Sequence, residues 1–297
     1  MDQIESKIEL RIGRISKTKE EKRWVNFVLL LATIITTIFA GSFLAGANPF
    51  KNPRTLLSGI PFSFTLLLIL GSHELGHYFA CRRRGISSTL PYFIPVPPPI
   101  FPLGTFGAII RIKAPILDKK GLVEVGAAGP IAGFILAIPV TIVGLRLSKF
   151  VPLSQIEGQI FLGNSLLFWA LAKLFTSLPP VGFDLSLSPV AFSGWVGMFV
   201  TALNLLPLGQ LDGGHVSYAL FGNKVKFIAW PMIGMMLVLG IYWPGWWMWA
   251  VLIVVLLGLK HPPPLDDITP LDLRHKIIGW IALLIFALTF IPVPFRM

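Results

Sequence analysis

Residues 24–46 run for 23 positions without a charged side chain, long enough to cross the hydrocarbon of a bilayer as one helix. Three apolar stretches of comparable length follow at 60–81, 122–145 and 189–208. Two shorter ones, 227–243 and 246–260, meet at Pro244-Gly245 and read as a helical hairpin, and 277–293 comes last. The expectation is an all-α polytopic membrane bundle of about seven spans (six to seven). Composition agrees: only 13% of the 297 residues are charged, where a soluble domain has about a quarter. With no internal repeat or low-complexity linker, 1–297 reads as a single domain. It comprises an N-terminal segment 1–23, a core 60–222, an outer insert 147–187 and C-terminal helices 227–293.

The net charge of +11 does not form a continuous basic face, which argues against a nucleic-acid partner. The basic residues instead flank the apolar runs, where they set topology. Lys7, Arg11, Arg14, Lys17, Lys19, Lys22 and Arg23 precede the first run, and Arg82, Arg83 and Arg84 follow the second. Both sets place the N-terminus on the cytoplasmic side. Alternation puts the insert and the C-terminus outside, against which stand Arg146, Lys149 and Lys173. The first run is too long for a cleaved signal peptide, and Cys81, the one cysteine, reads as a small buried apolar residue.

Residues 90–112, LPYFIPVPPPIFPLGTFGAIIRI, are apolar but hold six prolines, which no continuous helix tolerates. Thr105 to Ile112 has strand-like composition. Non-helical backbone at membrane depth survives only where protein or a watery cavity shelters it, so a re-entrant loop with a short β-hairpin or sheet is expected near 90–112. In the insert, residues 163–175 suit a short amphipathic helix, and the tryptophans around Pro244-Gly245 suit an interfacial belt.

The second run ends in His73-Glu74-Leu75-Gly76-His77. Residues four apart share a helix face, so both imidazoles can converge on one ion, with Glu74 in reach of a water held there. With 5 histidines in the chain, chance placement of this pattern has an expectation of roughly 0.002. Zinc suits two neutral imidazoles, and a catalytic zinc takes a third protein ligand while keeping a fourth position for water. Glu74 would take that water's proton and pass it to a leaving amine. The side of the membrane selects the third ligand. Asp184 falls in the outer insert, Glu124 reads as a helix-start acid, and His261 and His275 fall in a polar loop and are expected to be solvated. Asp212 is preferred, with His215 as the rival or otherwise a supporting donor; both sit in LNLLPLGQLDGGHVSYALFG, residues 203–222. Gly129 to Gly133 form a small-xxx-small pattern that lets helices approach closely.

HELGH near the end of one run, AAGPIAGF in the next and NLLPLGQLDGG in the third resemble, in that order, the site-2 protease family of intramembrane zinc metalloproteases. The resemblance covers roughly residues 60–222 and is similar to a compact archaeal, cyanobacterial and plastid-like branch, without PDZ or CBS domains. It implies hydrolysis of a peptide bond in or next to a membrane-spanning segment of another protein. It further implies one Zn2+ per chain on His73, His77 and Asp212, Glu74 as general base and acid, and Asn204 bonding substrate or developing oxyanion. The implied partners are a single-span membrane protein substrate and the lipid bilayer. The strand at Thr105, Phe106, Gly107, Ala108, Ile109 and Ile110 is expected to bind an unwound substrate segment along its edge. A membrane zinc transporter or sensor and a non-catalytic scaffold are the alternatives. With no transit peptide evident, the expected membrane is a prokaryotic plasma membrane.

Overall fold

A computed structural model describes residues 23–155, 161–177 and 179–296; the basic residues before Arg23, on which the expected orientation rests in part, lie outside it. The described chain is mostly helical with three small two-stranded sheets. Helix α1 spans Arg23–Leu44 and α2 Ile60–Arg83, the latter continuing a 3-10 turn from Pro53. Strands β1 (Tyr92–Pro95) and β2 (Thr105–Ile109) follow, then α3 (Lys119–Leu147). β3 (Lys149–Pro152), β4 (Phe161–Leu162), α4 (Leu166–Phe175) and β5 (Phe183–Ser186) make up the insert. Helices α5 (Pro189–Asn204), α6 (Asp212–Phe221), α7 (Lys226–Leu239), α8 (Gly245–Leu252) and α9 (Leu273–Thr289) lead to β6 (Phe295–Arg296).

Among the described residues, three helical stretches are long and apolar enough to cross a membrane: Arg23–Leu44, Pro53–Arg83 and Lys119–Leu147. The remaining expected spans are shorter helices. α5 stops at Asn204, 16 residues from its start and so about 24 Å long, because the apolar stretch to 208 leaves the helix for a buried turn. The pair expected at 227–243 and 246–260 is α7 and α8, the second ending in a π-helical turn at Ile253–Leu257.

Helices α2, α3 and α5 form the centre, with α3 packed against both others. Glycine permits this closeness. A Cβ on Gly76 would come within 2.5 Å of the Ala128 carbonyl oxygen, so the α2 and α3 backbones touch where the small-residue pattern predicts. Cys81 is fully buried there. α4 occupies the expected place in the insert, with Lys173 Nζ 4.1 Å over the Trp169 ring. The tryptophan belt is corrected in part: Trp246 is core, 1% exposed, and donates from Nε1 to the Pro292 carbonyl.

The proline-rich stretch forms an antiparallel hairpin, β1 against β2, pairing Tyr92 with Ile109 and Pro95 with Thr105. β2 ends at Ile109, short of the Ile112 expected from composition, and beyond it the chain pairs with residues 87–89 instead, as in Lys113 N to Ser87 O.

Candidate metal centre

His73 and His77 lie one turn apart on α2, both buried. Asp212 is the first residue of α6, a position where the helix end favours a carboxylate. It is delivered by a turn that only glycine allows: Gly209 has φ +51, and side chains on Gly213 or Gly214 would collide with the Leu205 and Gly209 carbonyls. The result is a triangle. His73 Nε2 and His77 Nε2 are each 3.2 Å from Asp212 Oδ2 and 3.2 Å from one another. Tetrahedral zinc with bonds of roughly 2.0–2.1 Å sets its ligand atoms about 3.3 Å apart, so these donors match one face of that tetrahedron. Among the described residues, this is the one group of three or more His, Cys, Asp or Glu side chains able to hold a metal ion.

Helix α3 supports the triangle. His77 Nδ1–H donates to the Val125 carbonyl at 2.7 Å, which turns Nε2 toward the shared point and fixes the tautomer. Gly129 leaves space for the His77 ring, and Gly133 sits beside His73. Asn204, the last residue of α5, points its Nδ2 at the same place, 3.2 Å from His73 Nε2. Glu74 is buried next to the triangle, and the backbone N–H of Ile110, just past β2, faces its carboxylate. Of the other strand residues, Phe106 and Ile109 are exposed, while Thr105 is buried, its hydroxyl donating to the Ile94 carbonyl. Gly107 takes φ +99 between Phe106 and Ala108.

The rival ligand lies elsewhere. His215 Nδ1 is 2.6 Å from Nε2 of His261, which stacks on Tyr218, and Tyr218 donates to Asp267. Neither expected solvated histidine is solvated: His261 and His275 are 8% and 6% exposed. His275 is held between Asp272, at 2.6 Å, and Glu124, at 2.9 Å. Glu124 is therefore more than a helix-start acid, since it also accepts from Arg84 Nε at 2.6 Å. These contacts join α2, α3 and α9 at the end of the bundle nearest the metal centre. Side chains so distant in sequence left no pattern by which to pair them.

Comparison with known proteins agrees with the motifs. Residues 61–241 match Peptidase family M50. The chain is 31% identical over 255 residues to "Probable zinc metalloprotease EGY2, chloroplastic" of Arabidopsis thaliana, covering 84% of this chain and 44% of that protein. It is 31% identical over 244 residues to "Probable zinc metalloprotease EGY1, chloroplastic" of the same plant, 80% of this chain and 43% of that one. "Probable zinc metalloprotease EGY3, chloroplastic" of Oryza sativa subsp. japonica is 26% identical across 98% of this chain and 52% of its own length. The chain thus spans about half the length of these curated relatives or less. No solved structure matches it at a significant level. The family model covers well over half of the sequence, including all three motifs, and the chain belongs to Peptidase family M50, the site-2 protease family of membrane zinc metalloproteases.

Proposed function

We propose that this chain is an intramembrane zinc metalloprotease that cuts a peptide bond in or beside the membrane-spanning segment of a single-span protein. The observation that carries the proposal is the 3.2 Å triangle of His73, His77 and Asp212 with Glu74 buried beside it. His73, His77 and Asp212 would hold the zinc, which when bound would supply a water whose pKa is lowered toward about 7. Glu74 accepts the proton from the attacking water and returns it to the departing amine. Asn204, its amide at the rim of the triangle, donates to the carbonyl oxygen as negative charge gathers there. One ion per chain suffices, since the three ligands come from one chain.

The substrate must unwind, because a helical backbone hides its peptide bonds. Two-stranded sheets leave each strand one unpaired edge, and β2, with Ile110 just past its end, is the strand of this hairpin that packs against α2. An extended substrate segment laid on that edge recovers backbone hydrogen bonds and lies next to Glu74. Proline at Ile109 or Ile110 is expected to slow cleavage with zinc content unchanged.

The N-terminus and the metal centre are assigned to the cytoplasmic side by the arginines after α2. Relatives named as chloroplastic lend no support to a prokaryotic plasma membrane. The test is zinc-dependent cleavage of a single-span reporter by the purified chain in liposomes, lost on chelation and restored by zinc but not by magnesium. Zinc binding without cleavage of any reporter would favour a transporter or sensor.

A further inference from the structure

Helix α1 lies outside the residues matched to the family, yet its inward face is not that of an inert anchor. Asn26, Thr33, Thr37 and Ser42 are all buried along it. The hydroxyls mostly return to their own helix: Thr33 Oγ1 donates to Leu29 O and Thr37 Oγ1 to Thr33 O, each at 2.7 Å. Asn26 does otherwise. Its amide carries two N–H donors, and they leave the helix for the Leu90 carbonyl at 3.1 Å and the Pro91 carbonyl at 3.0 Å. Those two carbonyls lead directly into β1.

Ten residues further along α1, about 15 Å at the helical rise, the other end of the hairpin meets the same helix. A Cβ on Gly104 would come within 2.5 Å of the Thr36 carbonyl oxygen and 2.8 Å of Thr37 Cα, and its φ of +77 suits glycine. β1 packs along α1 between these two grips. The hairpin is thus mounted on α1 by its first strand, with its second strand packed against α2 and the Ile110 N–H, just past that strand, facing Glu74.

We infer that Asn26 is a positioning residue for the reaction: by holding the Leu90 and Pro91 carbonyls it sets how far the open edge of β2 stands from Glu74. A substrate strand on that edge then reaches the metal centre in register. The inference rests on the edge-pairing reading above. Without these two donors the carbonyls must find other partners or remain buried and unpaired, and the hairpin shifts to relieve that cost.

The experiment compares Asn26→Leu, Asn26→Asp and Asn26→Gln in the full chain, loaded with zinc and placed in liposomes. The probe is a single-span reporter with a glycine pair in its membrane segment. Leucine removes the donors, aspartate keeps the shape but replaces donors with acceptors, and glutamine keeps both donors on a longer arm. Losing two hydrogen bonds is expected to lower kcat/KM about tenfold in the first two variants, chiefly through KM, with bound zinc unchanged. Glutamine is expected to recover part of that loss. Amide hydrogen exchange across residues 92–109 is expected to quicken in the zinc-free Leu and Asp proteins. Wild-type cleavage and exchange in Asn26→Leu, alongside slow cleavage by Ile109→Pro, would overturn the role of Asn26 and leave edge pairing standing. Wild-type cleavage by Ile109→Pro would overturn both. Equal losses in the Gln and Leu variants, or loss of bound zinc, would also overturn the inference by making Asn26 a general packing residue.

Discussion

Gly129 of α3 and His77 of α2 are in direct contact: a single added carbon at 129 would overlap the imidazole Nε2. The small-residue pattern that lets two membrane helices approach therefore also holds the space in which a metal-facing ring must sit. Gly129→Ala is expected to displace His77 and lower zinc affinity by about 10- to 100-fold, the range seen when groups that orient a ligand are altered. Gly133→Ala, whose Cβ would stand 3.3 Å from His73 Cβ, is expected to lose less. Zinc titration of both proteins checks the order, and equal affinities would count against it.

The ion-pair cluster of Arg84, Glu124 and His275 ties α9 to the central helices, with Asp118 adding a contact at 3.2 Å from Arg84. Glu124→Gln leaves a partly buried arginine without its closest counter-charge. The expected cost is about 1–3 kcal/mol of stability. In detergent this appears as a lower unfolding temperature, with zinc content preserved in the folded fraction. An unchanged midpoint would mean that α9 is held by its apolar contacts alone.

Burial, reinforced by His215, pushes His261 down from 6.5 to about 4. Between those values the unfolded chain binds a proton that the folded chain does not. The contribution to stability is present above pH 6.5 and is lost as pH falls toward 4. Thermal unfolding measured from pH 7 to pH 5 is expected to fall more steeply for the wild type than for His261→Asn, which removes that titration. Parallel slopes would contradict the assignment.

Much of the candidate site was legible because its chemistry is local and a basic flank marks one end of the second apolar run. His73, Glu74 and His77 fall within one helical turn, and the arginines after them limit the acids that can reach the same depth, which leads to Asp212. The pairings of His215 with His261 and of Glu124 with His275 were not legible, since each joins residues far apart in sequence, and a histidine in a polar loop ordinarily meets water. The end of α5 was blurred for a different reason. Leu205, Leu206 and Leu208 are fully buried in an irregular turn, so an apolar window reads through them as if the helix continued. Asn26 was invisible as a functional residue because one amide in a long apolar run carries no pattern, and its meaning depends on a hairpin 64 residues away.

The most direct test of the account is Glu74→Gln, which keeps the side chain's size and removes its basicity while leaving His73, His77 and Asp212 in place. Bound zinc and cleavage of the single-span reporter are measured on the same preparation as the wild type. The account predicts equal, stoichiometric zinc in both proteins and a cleavage rate reduced by at least about 100-fold in the variant. Equal zinc with equal cleavage would contradict it.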